Sequence, residues 1–330
     1  MSDLAILGGK PVLTTADHAT WPEVTDDDRR AVMAVLDRGI LSGAYAPEAA
    51  ALEEEFAKFV GAKHAVLTHS GTSALQLAVA AAGIQAGDEV IVPAYSFVAT
   101  PLCVALEGAV PVFVDVDPEN GLMDPVLVEK AITPRTKAIM PVHVHGAVAD
   151  LAALAAIAKK HGLKLIEDAA QAHGATWNGK PVGALFDGGG FSLQSSKNLS
   201  AGEGGLYVTN DAAMAREANR VRNFGQDLGD GDRAAYDATK PLDGHRGLES
   251  VRMGAMYRGN EMMAAFTRSQ LRRLAELDPL TGVPNRSGII YALERLLTET
   301  GEQAPGLVGL FYIDLDDFKP VNDSQGHAAG

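Results

Sequence analysis

One lysine, Lys197, lies among hydroxyl side chains in the segment FSLQSSKNLSAGEGG, residues 191–205. A lysine beside a positive charge and away from water has its charged form disfavoured, so its amine can condense with an aldehyde and then move protons. The glycines that follow let the backbone pass close to a bound molecule. The alternative is an ordinary solvated loop lysine, so the interpretation depends on what accompanies Lys197.

A candidate phosphate site lies in THSGTSALQLA, residues 68–78, where a strand passes through Gly71 into a helix that begins near Thr72 and Ser73. Free backbone N–H groups, two hydroxyls and the positive end of a helix dipole suit a phosphate group. Ser192, in the lysine segment, could add a further phosphate contact. An ordinary capped helix is the alternative.

A candidate carboxylate, Asp168, follows an apolar run in LIEDAAQAHGA, residues 165–175. Asp168 could accept a proton from a pyridine nitrogen and keep the ring cationic, so that the ring withdraws electrons from a substrate carbanion. Gln171 could reach a phenolic oxygen on such a ring. A turn or helix cap is the alternative for the aspartate alone. Together, the phosphate cradle, the carboxylate and the lysine indicate the chemistry of pyridoxal 5′-phosphate (PLP).

Apolar runs rich in Val, Ile and Phe alternate with alanine-rich segments of helical length and must position these residues. This alternation predicts an α/β fold whose mostly parallel sheet has helices on both faces. Ligands of such sheets bind beyond the carboxyl ends of the strands, which is where the three clusters lie. Helices are expected at 26–39, 47–60 and 261–276, and residues 225–260 are expected to form a long surface excursion.

Composition narrows the class of partner. The chain has 330 residues, 47% of them hydrophobic, and a formal net charge of −14. This charge disfavours nucleic acid and anionic membranes as partners and favours small molecules. The single cysteine, Cys103, excludes an internal disulfide framework. The sequence shows neither a leader nor a membrane-length apolar run, so we expect a cytoplasmic protein.

Residues 4–276 resemble the DegT/StrS family of sugar aminotransferases. The resemblance rests on several motifs in the same order, namely LAILGGKPV, SGTSAL, PAYSFVAT, VPVFVDVDP, EDAAQAHGA, SSKNLSAGEGG and YRGNEMMAAFTRSQL. It implies the large domain of a type I PLP-dependent transferase. It also implies roles for seven residues. These are covalent attachment of PLP at Lys197, pairing of the ring nitrogen by Asp168, phosphate contacts at Thr72, Ser73 and Ser192, a contact of Gln171 with the phenolic oxygen, and ring stacking by Phe97.

The resemblance further implies ping-pong transamination, in which glutamine or glutamate donates an amino group to a keto-sugar or keto-cyclitol. A homodimer that builds its site across subunits is expected. Met256 stands where many relatives have an asparagine that reaches the phosphate across that interface. His143 and His145 end a strand and could line the pocket, although a satisfied core or loop histidine is an equal alternative.

Residues 278–330 resemble the opening of a GGDEF diguanylate cyclase domain, through LDPLTGVPNR and FYIDLDDFKPVNDSQGHAAG. The resemblance implies a vestigial Mg²⁺ site at Asp314 and the carbonyl of Leu315, where acidic side chains follow a predicted strand. The chain stops before any GGDEF signature, so cyclase activity is not expected. We therefore predict an aminotransferase domain at 1–277 and, in place of its small C-terminal domain, a partial α+β GGDEF fragment at 278–330. The alternative function is a non-catalytic nucleotide-sensing or interaction protein.

Overall fold

A computed structural model describes residues 21–43, 46–227 and 250–276. The chain divides between Ala275 and Glu276 into two units, and every described residue except Glu276 lies in the first. The predicted GGDEF fragment, with Asp314 and Leu315, lies outside the described residues. So do the motif at the start of the chain and the middle of the excursion predicted at 225–260.

Helices and strands alternate through most of the described chain. The helices are α1 (Asp26–Arg38), α2 (Pro47–Phe59), α3 (Gly71–Ala81), α4 (Ala99–Leu106), α5 (Pro125–Ala131), α6 (Leu151–His161), α7 (Ala212–Arg222) and α8 (Glu261–Glu276). The strands are β1 (His64–Thr68), β2 (Glu89–Pro93), β3 (Val110–Val114), β4 (Thr136–Ile139), β5 (Lys164–Asp168), β6 (Thr176–Trp177), β7 (Lys180–Pro181), β8 (Gly188–Ser192) and β9 (Gly205–Thr209). The three helices predicted from the sequence are confirmed as α1, α2 and α8.

Seven of these strands form one sheet in the order β1-β9-β8-β5-β4-β2-β3. The pairs from β8 to β3 are parallel, and only β9 runs against its neighbours β1 and β8. The predicted, mostly parallel sheet is therefore confirmed. Strands β6 and β7 form a separate antiparallel pair.

Helices cover both faces of the sheet. Successive side chains of a buried strand point to opposite faces, so both faces are apolar and each packs against helices. On β2, Val90 and Val92 pack in one core cluster with Leu77 of α3. Ile91, between them, packs in another cluster with Leu154 of α6. Every residue of β2 is buried, as expected of an internal parallel strand.

The start of helix α2 is held from far along the chain. Its N-cap residue, Ala46, has no side chain that could accept a hydrogen bond from the first turn. The buried carboxylate of Glu261 supplies that acceptor, since the backbone N–H groups of Glu48 and Ala49 donate to its two oxygens at 2.9 and 2.8 Å. Arg38 donates to the same carboxylate at 3.1 Å. Glu261 thus joins α1, α2 and α8 at one point.

Replacing Glu261 should therefore destabilise the fold. Glu261→Ala leaves two N–H groups and a guanidinium without their acceptor, and we expect the free energy of unfolding to fall by about 2–4 kcal/mol. Glu54→Ala, on the exposed face of α2, is the control and should change stability by less than about 0.5 kcal/mol. Urea denaturation of both variants measures the difference, and equal stabilities would contradict the role of Glu261.

Candidate active site

The three predicted clusters meet at one edge of the sheet. Strand β5 ends at Asp168 and β8 ends at Ser192, and the two strands are parallel neighbours. Strand β1 ends at Thr68, directly before α3. Thr68 and Ser192 both pair with Gly205, which lies between them on β9. The carboxyl ends of β1, β5 and β8 therefore gather the candidate residues, as the sequence predicts for this class of sheet.

The first turn of α3 forms the predicted cradle against the end of β8. A Cβ atom at Gly71 would lie 2.6 Å from the Cβ atom of Ser192 and 2.9 Å from its Oγ. Only glycine therefore allows the helix start to approach Ser192 this closely. The half-buried Thr72 adds a second hydroxyl beside the N–H groups that a helix start leaves unpaired.

Ser73 completes a reciprocal cap at the start of α3. Its backbone N–H donates to Ser70 Oγ at 3.1 Å, and the Ser70 N–H donates to Ser73 Oγ at 3.2 Å. The Ser73 hydroxyl also donates to the Ser70 carbonyl at 2.8 Å. This hydroxyl is buried and serves the cap. The direct contact of Ser73 with phosphate that the family resemblance implies stays a prediction.

The carboxylate of Asp168 is buried, with 3% of the residue exposed. Thr100 Oγ1 donates to its Oδ2 at 2.7 Å, and the Ala170 N–H donates to its Oδ1 at 3.1 Å. Burial raises the pKa of Asp168, whereas these two hydrogen bonds and the charge of Lys197 oppose the rise. Lys197 follows β8, the parallel neighbour of β5, so the lysine segment and Asp168 lie at the same edge of the sheet.

Lys197 lies on the loop that joins the antiparallel strands β8 and β9. Two hydrogen bonds close the base of this loop. The Leu193 N–H donates to the Gly204 carbonyl at 2.9 Å, and the Ala201 N–H donates to the Leu193 carbonyl at 2.8 Å. The Lys197 N–H donates to the Gln194 carbonyl at 2.9 Å and forms a turn. The lysine is half-buried. A closed loop with an internal turn fixes its backbone at the edge of the site.

His173 lies beside the lysine loop and was not predicted from the sequence. Asn198 Nδ2 donates to the His173 carbonyl at 3.0 Å, which attaches the loop to the segment after β5. The imidazole packs against Phe191 and Phe56, with ring centroids 5.2 and 6.4 Å away. Burial lowers the pKa of His173 to about 4, and the charge of Lys197 acts in the same direction. The imidazole is therefore neutral at pH 7 and adds no second positive charge beside the lysine.

Phe97 and Gln171 occupy accessible positions around the site. Phe97 is 70% exposed and precedes α4, the helix that carries Thr100. An exposed aromatic ring at this place is available to stack on a planar ligand, a contact worth about 1 kcal/mol. The Gln171 Oε1 atom accepts from the His145 N–H at 2.9 Å. This bond orients the amide and leaves its NH₂ group as a donor.

The two histidines of the VHVHG segment differ in role. His143 is fully buried, and its Nδ1 accepts from the Ala149 N–H at 3.3 Å. Its Nε2 lies 3.2 Å from a Glu167 oxygen, so Nε2 carries the proton. This arrangement favours the interpretation of His143 as a satisfied core histidine. His145 is exposed, has a φ of 52°, and acts on the site through its backbone.

The end of the predicted surface excursion returns to the site. The His69 N–H donates to the Tyr257 carbonyl at 2.9 Å, next to the start of α3. The two rings meet edge to face with centroids 5.3 Å apart. Met256, at the position where the resemblance implies an asparagine in many relatives, is 39% exposed. It pairs with Asn223 through a backbone bridge.

Residues 21–43, 46–227 and 250–276 contain no group of three or more His, Cys, Asp or Glu side chains placed to hold a metal ion. None of the helices described in this part of the chain has the length and apolar character needed to cross a membrane.

Residues 22–305 match the sequence profile of the DegT/DnrJ/EryC1/StrS aminotransferase family. The chain belongs to this family. The match confirms the family predicted from the sequence and the transferase fold. The matched range passes residue 277, so it enters the segment for which the motifs predict a GGDEF fragment.

Named relatives agree with the family assignment. The L-glutamine:2-deoxy-scyllo-inosose aminotransferase of Streptomyces lividus is 41% identical over 304 residues, which are 90% of this chain and 69% of the relative. The dTDP-3-amino-3,4,6-trideoxy-alpha-D-glucose transaminase of Streptomyces venezuelae is 39% identical over 94% of this chain and 73% of that enzyme.

The fold of this family member also matches a solved aminotransferase from Psychrobacter cryohalolentis. The two superpose with a TM-score of 0.72 at 36% identity, over 78% of this chain and 64% of the other. This chain thus spans less than two thirds of that structure. Members of the DegT family depend on PLP, and the site fits this cofactor: it offers a glycine-lined helix start for the phosphate and a buried carboxylate for the ring nitrogen.

The close approach at Gly71 gives a test of the cradle. Gly71→Ala places a methyl group into Ser192, and we expect PLP affinity to fall at least about tenfold and stability to fall by about 1–3 kcal/mol. Gly61→Ala is the control, because a Cβ atom there meets nothing within 4 Å. It should lose about 1 kcal/mol through its positive φ and keep its PLP affinity. Fluorescence titration with PLP measures the affinity of both variants, and urea denaturation measures their stability. Unchanged PLP affinity in Gly71→Ala would contradict the role of this helix start as a phosphate cradle.

Proposed function

We propose that the protein is a PLP-dependent aminotransferase that moves an amino group from glutamine or glutamate to the keto group of a cyclitol or sugar. The observation that carries this proposal is the convergence of Asp168 and Lys197 beside the cradle at the carboxyl edge of the sheet. A buried carboxylate alone is a costly feature of a fold. Its placement beside an amine and an anion-binding helix start is what a cationic, phosphorylated ring requires.

Besides Lys197, five residues would contact the cofactor, and Ser73 would support one of these contacts. Thr72, Ser192 and the start of α3 would bind the phosphate, with Ser73 stabilising that start. Asp168 would pair with the ring nitrogen, Phe97 would cover a ring face, and Gln171 would donate to the phenolic oxygen. When bound, PLP supplies an electron sink for the carbanion of the amino donor.

Lys197 has two tasks in this proposal. Its Nζ would hold the cofactor covalently in the resting protein. As a free amine, Nζ would take up the proton of the reacting carbon of the amino donor and later release it. Asp168 remains an acceptor throughout, because the hydrogen bonds from Thr100 and Ala170 stabilise its ionised form.

The substrate class is inferred from the relatives. One is named for glutamine as donor and for a cyclic keto-polyol as acceptor, and the other for an amino sugar attached to a nucleotide. The two names thus cover a cyclitol and a sugar, the two substrate classes predicted from the sequence. These relatives are enzymes, which favours amino transfer over a non-catalytic nucleotide-sensing role.

We also propose a homodimer in the cytoplasm. The edge strand β3 and the neighbouring helix α4 expose large apolar side chains, and these support a dimer contact. They are Leu102, Leu106, Val110 and Phe113, which are 43–56% exposed. Cys103 is a buried free thiol, compatible with a reducing compartment.

For residues 278–330, outside the described residues, we propose a partial GGDEF domain in place of the family's small domain. The support is the spacing of the DPLTGVPNR and DLDDFKPVNDSQGH motifs. Asp314 and the Leu315 carbonyl would be the remnant of its Mg²⁺ site.

The function is tested by trapping the amine. Sodium borohydride treatment of the PLP-loaded protein should fix a phosphopyridoxyl group on Lys197, as identified by peptide mass spectrometry. Lys197→Ala should lose this label and at least about 10³-fold of the amino-transfer rate, because both the tether and the base are removed. Lys180→Ala, at an exposed position, is the control and should keep label and rate. Labelling of another lysine, or full activity in Lys197→Ala, would refute the proposal.

A further inference from the structure

We propose that Ser96 and Thr100 form a hydroxyl relay that positions the Asp168 carboxylate for the ring nitrogen, which makes Thr100 a positioning residue of this enzyme. The inference rests on the proposed function, because it assumes that Asp168 pairs with PLP. It goes beyond that function because it assigns a role to Ser96 and Thr100, which the sequence did not indicate as site residues.

The relay consists of two short hydrogen bonds in series. Ser96 Oγ lies 2.7 Å from Thr100 Oγ1, and Thr100 Oγ1 lies 2.7 Å from Asp168 Oδ2. An ionised carboxylate can only accept, so Thr100 must donate its single hydroxyl proton to Asp168. The oxygen of Thr100 then accepts from Ser96. The direction of both bonds is thereby fixed.

Burial makes the bond from Thr100 important. Thr100 is fully buried and Asp168 is 3% exposed, so water is a poor substitute for the missing donor. The only other hydrogen bond to the carboxylate that the described structure shows comes from the Ala170 N–H, and it reaches the opposite oxygen, Oδ1. One donor on each oxygen fixes the plane of the carboxylate. Removing Thr100 would free one side of that plane.

The relay also connects two contacts of the cofactor. Ser96 and Thr100 flank Phe97, the residue predicted to stack on the ring, and the Thr100 N–H donates to the Phe97 carbonyl at 3.1 Å. Cys103 donates its thiol proton to the Thr100 carbonyl at 3.0 Å and so adds a second hydrogen bond to this turn. A single short segment therefore sets both the ring face and, through the relay, the carboxylate at the ring nitrogen.

The test compares PLP-loaded variants. Thr100→Val removes the hydroxyl with little change in shape, and Thr100→Ser retains it. We expect Thr100→Val to weaken PLP binding and lower kcat about tenfold or more each, with less than a twofold change in KM for the amino donor. Thr100→Ser should recover both values to within about threefold of the wild type. Ser96→Ala, which removes the outer bond only, should show a smaller loss of the same kind.

Thr267→Val is the matched control, because Thr267 is also fully buried and donates its hydroxyl proton to a carbonyl, that of Met263 in α8. It should leave PLP affinity and kcat unchanged. Wild-type PLP affinity and kcat in Thr100→Val would overturn the relay, and so would failure of Thr100→Ser to recover them. If Thr100→Val does not fold, Ser96→Ala decides, since unchanged affinity and kcat there also overturn the relay. Failure of the relay with the borohydride label still on Lys197 would leave the proposed function standing.

Discussion

A carboxylate buried at the end of a strand is the constraint on which the site depends. Taking the charge of Asp168 out of water is costly, and a fold keeps such a group only when donors or a cation compensate for the lost hydration. Thr100 and Ala170 compensate in part, through one hydrogen bond to each oxygen. The remaining compensation is best supplied by a cationic ring. The burial that disfavours the charged form of Asp168 therefore also strengthens its attraction to a cationic ring.

The rest of the scaffold brings an amine and an anion-binding helix start to that carboxylate. The parallel strands β5 and β8 place Asp168 and Ser192 at the same edge of the sheet. The reversed strand β9 returns the chain and thereby makes the lysine segment a closed loop. Close contact between α3 and β8 requires glycine at 71, and at 205 a Cβ atom would lie 2.3 Å from the Ser70 carbonyl oxygen. The absence of a side chain at these two glycines is thus required for the geometry of the site.

Local sequence signals predicted much of this arrangement. Acidic residues and a closing Gly39 marked helix α1, and Gly39 has the left-handed φ of 74° that ends such helices. Apolar runs indicate the strands, and the polar residues directly after them indicate the site. Both signals lie within a few neighbouring residues, so they can be recognised without knowledge of the fold. The order of motifs indicated the family, which the profile match confirmed.

Contacts between distant segments were beyond the reach of those signals. The cap that Glu261 provides for α2, the bond from Thr100 to Asp168 and the burial of His173 all join residues far apart in the chain. A histidine within EDAAQAHGA has no local pattern that distinguishes a neutral buried ring from a ligand. The structure also shows the Ser73 hydroxyl in the cap of α3, and the contact of Ser73 with phosphate stays a prediction. Such roles depend on which segments the fold brings together.

The pH dependence of stability in the cofactor-free protein reports on the burial of the Asp168 carboxylate. Burial raises the pKa of Asp168 above its ordinary value of 3.8, so the unfolded chain releases this proton first and the native state loses stability as pH rises through that range. The free energy of unfolding of the cofactor-free wild type, minus that of Asp168→Asn, should therefore fall as pH rises from about 4, since Asp168→Asn cannot titrate there. Saturating PLP should stabilise the wild type more than Asp168→Asn. A difference that stays flat or rises with pH, with equal stabilisation by PLP, would contradict the account.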